Sequence, residues 1–331
     1  MMDHHKRHCR TDRILFVIMT WALFAFFLSE GNSLFAGEPA AKFPSSPVRI
    51  YIPAGAGGSL GQEIRTVAPF LEKRLGVSTP IEYITGADGM IAYNKIYQEK
   101  PDGYTIISFN LSSAVSLELT RDAAKYEVKK LTPIAVWNSK IHALVAHPDK
   151  WKTFAEFLSD ARKSPVSIAV VGGSSAFQGK LMEATLGIKI NWVPYTASGE
   201  AMAAVAGKHA DAVLTFSISP KPLIRAGKLK ALAVFSSTPD PVLPDVPHFK
   251  QLAHPEVPLV VVYGVMMAPP NTPREVASIL ENALKEATAN PEFNKQAENV
   301  GMTVDFKPFP ELQKLIAGEY EVLNKYKQFL K

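Results

Sequence analysis

Val48-Arg49-Ile50-Tyr51-Ile52-Pro53-Ala54-Gly55-Ala56-Gly57-Gly58-Ser59-Leu60-Gly61 is the stretch on which the architecture turns. Val48, Ile50 and Ile52 alternate with Arg49 and Tyr51, the period of a strand. Residues 53–61 are a glycine-rich turn. Behind it Ile64, Val67, Ala68, Leu71 and Leu75 recur at helical spacing, with Gly76 as a stop and Pro69 as a predicted kink. Residues 81–84 predict a second strand, 90–97 a helix and 104–108 a third strand. Strand–helix alternation at this spacing requires right-handed crossovers and predicts a mainly parallel sheet.

The pattern then restarts. Residues 134–137 and 143–146 read as strands. Thr153 and Glu156 are spaced as a capping box ahead of Phe154, Phe157, Leu158 and Ala161. Further strands are predicted at 168–171, 191–195, 212–216 and 231–235, with helices up to Leu186 and around 200–206 and 220–226. A second glycine turn, Gly172-Gly173-Ser174-Ser175, joins the first of these strands to its helix. Residues 239–258 carry six prolines and read as an ordered loop. An apolar strand is expected over 259–267. Thr272-Pro273-Arg274-Glu275 reads as a helix start, with Thr272 as cap and Pro273 at the first position. A last helix carries Leu312, Leu315, Ile316, Leu323 and Tyr326.

The chain has 331 residues, 47% of them apolar, which is enough for two domains with separate cores. Charged residues are 20%, without a long run of one sign, which argues against bulk disorder. The formal net charge is +5, and without the first 36 residues it is +4, from 32 basic and 28 acidic groups. That mild excess suits an anionic small molecule. It lacks the basic stripe with interleaved aromatics of a nucleic-acid binder. Residues 1–13 are polar and basic, 14–28 form an apolar run of 15 residues, and 29–36 are small and polar. This pattern predicts a signal peptide over residues 1–36 and export; the run is short for a membrane span of about 20 residues. Cys9, the only cysteine, falls in that segment, so the exported protein is expected to hold no disulfide and no cysteine-bound metal.

The two glycine turns occupy equivalent places, each between a strand and the helix that follows it. In open α/β sheets the ligand crevice lies at the carboxyl ends of the strands. A helix start there offers unpaired N–H groups and partial positive charge, and Ser59, Ser174 and Ser175 add hydroxyls. Two such turns facing one another would grip a carboxylate. Other chemistries find no support. A dinucleotide fingerprint fails because Gly61 comes one residue late, and Gly179-Lys180 is followed by Leu181, which excludes a phosphate loop. No HExxH and no Gly-x-Ser-x-Gly elbow is present. His142, His147, His209, His248 and His254 are scattered and read as surface or satisfied side chains. No catalytic residue, metal site or cofactor is predicted.

Further pieces follow in order: Gly86-Ala87-Asp88-Gly89, Lys100-Pro101-Asp102-Gly103-Tyr104-Thr105, Val193-Pro194-Tyr195, Gly207-Lys208-His209-Ala210-Asp211, Arg225-Ala226-Gly227-Lys228-Leu229, and Leu243-Pro244-Asp245-Val246-Pro247. With the two glycine turns, this order and spacing resembles the periplasmic solute-binding proteins of tripartite tricarboxylate transporters, the Bug family, from about Pro47 to the C-terminus. The resemblance implies a two-lobed α/β fold of the periplasmic-binding-protein type (type II, Venus-flytrap). Lobe 1 would be residues 45–142 plus 262–331 and lobe 2 residues 143–261, joined by two hinge-crossing strands near residues 142 and 262. It implies a monomer that captures a small organic carboxylate and delivers it to membrane transporter subunits, without catalysis. A sensor presenting its loaded state to a membrane receptor, and an exported enzyme on the same fold, are the alternatives.

Carried over by this resemblance, the binding positions are Ala54, Gly57, Gly58, Ser59 and Leu60 in the first turn, and Asn110 and Ser112 after the third strand. In the second lobe they are Gly172, Gly173, Ser174 and Ser175, then Tyr195, Thr196 and Ser198, with Thr215 at a strand end. The family often has an acid where this chain has Gly61, Asp where it has Thr215, and His where it has Phe177. These departures predict a site with less negative charge and more apolar surface. Such a site suits an anion with a modest apolar body and disfavours an amino acid, whose ammonium needs an acidic partner.

Overall fold

The computed structural model describes residues 43–329 apart from Gly58, Thr196 and Gly301; the signal peptide expected over residues 1–36 lies outside them. The chain divides into Met1–Ser45 and a second unit, Ser46–Lys331, to which everything below belongs. The elements begin with β1 (Arg49–Ile52), α1 (Ser59–Leu75), β2 (Ile81–Tyr83), α2 (Met90–Tyr97), β3 (Thr105–Asn110), α3 (Leu111–Thr120) and β4 (Thr132–Lys140). They continue with β5 (His142–Ala146), α4 (Phe154–Lys163), β6 (Val166–Val171), α5 (Gly172–Leu186), β7 (Ile190–Tyr195), α6 (Ser198–Ala206), β8 (Ala212–Phe216), α7 (Lys221–Arg225) and β9 (Lys230–Val234). The last are β10 (Val262–Ala268), α8 (Arg274–Thr288), α9 (Pro291–Asn299), β11 (Thr303–Lys307) and α10 (Phe309–Lys325).

Two sheets result, ordered β11-β4-β10-β3-β1-β2 and β7-β6-β8-β5-β9. The expected parallel pairing holds for β3-β1-β2 and for β7-β6-β8. β10 and β11 instead pair antiparallel in the first sheet and β5 in the second. These strands are reached by long or crossing connections, so the right-handed crossover rule does not govern them. The chain leaves the first sheet at Ile141, between β4 and β5, and returns between β9 and β10.

Burial explains the strands. Ile50, Tyr51 and Ile52 are all buried, so β1 is covered on both faces despite its alternating sequence. Tyr51 is tolerated because its hydroxyl donates to Glu99 Oε1 at 2.7 Å. Tyr51, Ile107, Phe109 and Val265 share one core with Phe177 and Leu181 of α5. Phe157, Ile168, Leu214 and Phe235 form a core on one face of the second sheet, and Val145, Ala169 and Val213 on the other. The proline-rich stretch forms neither helix nor strand. It is anchored by Phe249, whose ring lies 4.4 Å from that of Phe235.

Several ends differ from the sequence reading. The strand expected from residue 259 starts at Val262. Ahead of it the buried Gln178 side chain replaces a sheet partner, accepting from Val260 N–H at 2.6 Å and donating to Pro258 O at 2.9 Å. Thr153 caps α4 by accepting from Glu156 N–H at 3.2 Å, but the Glu156 carboxylate accepts from Lys152 N–H rather than from Thr153. Thr272 is no cap, because its hydroxyl donates to Pro269 O at 2.8 Å and α8 starts after Pro273 without a side-chain acceptor. The short helix α9, not anticipated, carries a readable signal: Asn290 Oδ1 accepts from Glu292 and Phe293 N–H groups, and Pro291 opens the helix. His142 is neither exposed nor satisfied. It is fully buried, its Nδ1 donates to Val260 O at 3.2 Å, and its Nε2 meets no partner among the described residues.

Candidate functional site

A cavity of about 960 Å³ lies where the carboxyl ends of the two sheets meet. Asn110 closes β3 on one side of it and Thr215 is the next-to-last residue of β8 on the other. Three helix starts reach it: Ser59 of α1, Gly173, Ser174 and Ser175 of α5, and Ser198 of α6. The second glycine turn, expected as a loop, is itself the first turn of α5, because β6 leads straight into the helix at Gly172. Val171 and Ala197, the residues before α5 and α6, provide no side-chain cap. The first N–H groups of both helices therefore take no acceptor from a capping side chain, and the helix dipoles add partial positive charge there. That is the environment of an anion site.

The walls are hydroxyl-rich but not free of charge. Glu63 and Lys140, neither of which the sequence reading placed in the site, form an ion pair in the cavity wall with each side chain only 5% exposed. Lys140 Nζ lies 2.9 Å from both carboxylate oxygens of Glu63 and donates to Asn110 Oδ1 at 3.2 Å. Asn138 Nδ2 adds a donor to Glu63 Oε2 at 3.3 Å. The Asn138 side chain lies flat on Gly264, where a Cβ would stand 2.3 Å from Oδ1, so only glycine leaves room for this arrangement. Lys221 of α7 and Glu298 of α9 pair at 3.2 Å across another part of the wall. With Arg225, the charged lining groups number three cations and two acids, a surplus of one positive charge.

The structure brings Ser59, Asn110, Gly173, Ser174, Ser175, Ser198 and Thr215 to this cavity. Ser112 lines an adjoining chamber instead. Gly172 is the first residue of α5. Ala54, Gly57, Leu60 and Tyr195 are not in the cavity wall: Leu60 is buried in α1, and Tyr195 packs on the second sheet's core. Gly58 and Thr196 lie outside the described residues. Glu63 puts an acid into the wall of a site expected to carry less negative charge, although Lys140 neutralises it. The signal was its position one helical turn beyond Ser59, on the same face of α1. Lys140 had no such local signal. Gly61 is not a vacancy for an acid, because a Cβ there would meet Ala56 O at 2.8 Å.

The neighbouring turns are fixed tightly. Arg65 Nη1 donates to Ala56 O at 2.6 Å and to the Tyr83 hydroxyl at 2.9 Å, holding the first glycine turn against β2. Gly86, Ala87, Asp88 and Gly89 all have positive φ, and a Cβ on Gly89 would stand 2.8 Å from Pro53 Cβ. Among the described residues no group of three or more His, Cys, Asp or Glu side chains is placed to hold a metal ion. No described helix is long and apolar enough to cross a membrane.

Residues 64–331 match the family model described as the tripartite tricarboxylate transporter family receptor. A UPF0065 protein from the TAR-I intergenic region of Agrobacterium vitis is 28% identical over 264 residues, covering 78% of this chain and 76% of that protein. A TctC solute-binding protein from Polaromonas, solved without ligand, superposes with a TM-score of 0.77 at 22% identity, over 87% of this chain and 99% of that one. MatC from Rhodopseudomonas palustris, solved with bound malate, superposes with a TM-score of 0.69 at 24% identity, over 87% of this chain and 100% of that one.

Proposed function

This chain belongs to the tripartite tricarboxylate transporter receptor family, and on that premise we propose that it is a periplasmic carrier of a small organic carboxylate. In this reading residues 1–36 direct export and are removed. Residues 45–142 plus 262–331 form one lobe, residues 143–261 the other, and the monomer closes both over the ligand. The loaded protein then docks on the membrane subunits of a tripartite transporter. Family and fold are those of substrate-binding proteins rather than of enzymes.

The observation that carries the proposal is the cavity of about 960 Å³ walled by helix starts from both sheets. Its size is at the upper end of the range for small-molecule sites, roughly 300–1,000 Å³. The ligand carboxylate is assigned to the uncapped starts of α5 and α6, the hydroxyls of Ser174, Ser175, Ser198 and Ser59, and Thr215. The malate held by MatC has the matching chemistry. An amino acid is disfavoured, because both acids that line the cavity are already paired, Glu63 with Lys140 and Glu298 with Lys221.

Isothermal titration tests the ligand class. Malate or another amine-free carboxylate is expected to bind at least tenfold more tightly than aspartate. Tighter aspartate binding, or no binding by any carboxylate, overturns the proposal. Uptake assays test the partner: a deletion strain should lose transport of the bound acid. Normal uptake with a lost response to that acid would replace the transporter by a receptor.

A further inference from the structure

Asn110 occupies the position just before α3, where an asparagine side chain ordinarily accepts from the first helical N–H groups. Here it makes no such bond. Its Oδ1 accepts from Lys140 Nζ at 3.2 Å instead. A lysine ammonium has three donors and no acceptor, so this contact alone decides which way the amide faces. The oxygen turns to Lys140, and Nδ2 is left with two hydrogens that no described residue accepts. Nδ2 is not sealed in, and the cavity is the space that Asn110 lines. Lys140 itself has nothing left to offer a ligand. Its three hydrogens are matched by both Glu63 oxygens, at 2.9 Å each, and by Asn110. Glu63 is held in turn by Asn138. Lys140 therefore acts on a ligand only through the Asn110 amide. A helix cap is forgone and a charge pair is buried to keep that amide turned, and both cost stability.

We propose that Lys140 is a positioning residue that sets the selectivity of the site through Asn110. It withdraws the amide oxygen from the cavity, so that only N–H donors face the ligand there. An oxygen acceptor on the ligand is bound by Asn110 Nδ2, and an ammonium in the same place is refused. The inference rests on the carboxylate-carrier reading above and names the device by which that site rejects amino acids. Without Lys140 the amide is free to turn and to present either end, because its two ends differ little in shape. With Lys140 in place, an ammonium meets donors only, and both partners lose their bonds to water without replacement. A mismatch of that kind weakens binding by roughly tenfold or more.

The test is calorimetry on the full exported chain with malate and aspartate, in which a hydroxyl and an ammonium occupy the same place. Weak aspartate binding is read by displacement of malate. Glu63→Gln with Lys140→Met removes both charges together and leaves no stranded ion. This double variant is expected to lower the malate-to-aspartate affinity ratio by roughly tenfold. In an Asn110→Ala background the same double change should leave the ratio where it was, because the group it acts through is gone. A pair that merely braced the fold would shift both acids alike, in either background. Melting temperatures confirm that each variant is folded. Should the double variant melt below the assay temperature, Asn110→Asp decides: it keeps Lys140 as partner and turns an acceptor to the cavity, so aspartate should overtake malate. A ratio unmoved by the double change, a ratio moved equally in the Asn110→Ala background, or an unaltered preference in Asn110→Asp overturns the positioning role and leaves the carrier reading standing if malate binds. Failure of wild type to bind any carboxylate overturns the carrier reading, and the role of Lys140 with it.

Discussion

Glu63 and Lys140 stand 77 positions apart and meet in a wall that excludes nearly all solvent. Two such charges hold each other in place, and either one alone would be a buried, uncompensated ion. Glu63→Gln is therefore expected to destabilise the fold by about 3–5 kcal/mol, read as a lowered urea midpoint. Adding Lys140→Met should recover most of that loss, because it removes the stranded cation. A double variant no more stable than the single one would show that the two side chains do not depend on each other. At this scale the sequence was partly readable. The hydroxyl residues at helix starts were visible as serines in glycine-rich turns. Gly264 and Asn138 were not, because their need for one another arises only when β4 and β10 lie side by side.

Elements bring a different kind of constraint. His142 opens β5 at the crossing between sheets, between the Phe216 ring at 4.9 Å and the Val260 carbonyl. Burial pushes its pKa down from 6.5 to about 4. Below pH 6.5 the unfolded chain takes up a proton that the folded one refuses, so stability falls as pH drops towards 4, by roughly 3 kcal/mol in all. Glu319 in α10 acts in the opposite sense. Burial pushes its pKa up from 4.5 to about 7. Between those values the folded chain keeps a proton that the unfolded one gives up, so stability falls as pH rises and stays lower above pH 7. The two slopes oppose one another between pH 4.5 and 6.5. Glu319→Gln is expected to match wild type near pH 4.5 and to exceed it at pH 8, by an amount on the order of 1–3 kcal/mol. It should also leave the rise from pH 4 to 6.5 uncovered. Urea titrations across pH read both effects; a variant no more stable than wild type at pH 8 would remove Glu319 from the account. Helix interiors and strand cores were legible from periodicity, but ends were not. Gln178 displaced the start of β10 through a contact 82 positions away, and Pro269, three residues before Thr272, claimed the hydroxyl that the helix start was read as using.

Across the whole molecule, a ligand shifts a two-state balance only by what it gains from touching both sides. Lys221 and Glu298 meet across the cavity wall from the two sides, with side chains 22% and 69% exposed. Exposed pairs of this kind contribute about 0–1 kcal/mol. Glu298→Gln is accordingly expected to weaken carboxylate binding by no more than about fivefold, mainly through faster dissociation in stopped-flow measurements. The effect should fade as salt screens the pair. A change larger than that, or one indifferent to salt, would mean that Glu298 touches the ligand itself. The sequence alone determined most of the strands and helices, though not α3, α9 or β11, and that two strand–glycine–helix units exist, because periodicity, turn residues and caps act over a few neighbouring positions. Only the tertiary structure decided which strands pair antiparallel, that Glu63 and Lys140 share a wall, and that helix starts from both sheets converge on one cavity. Those facts depend on groups from distant parts of the chain competing for the same buried space, and no local pattern encodes the outcome of that competition.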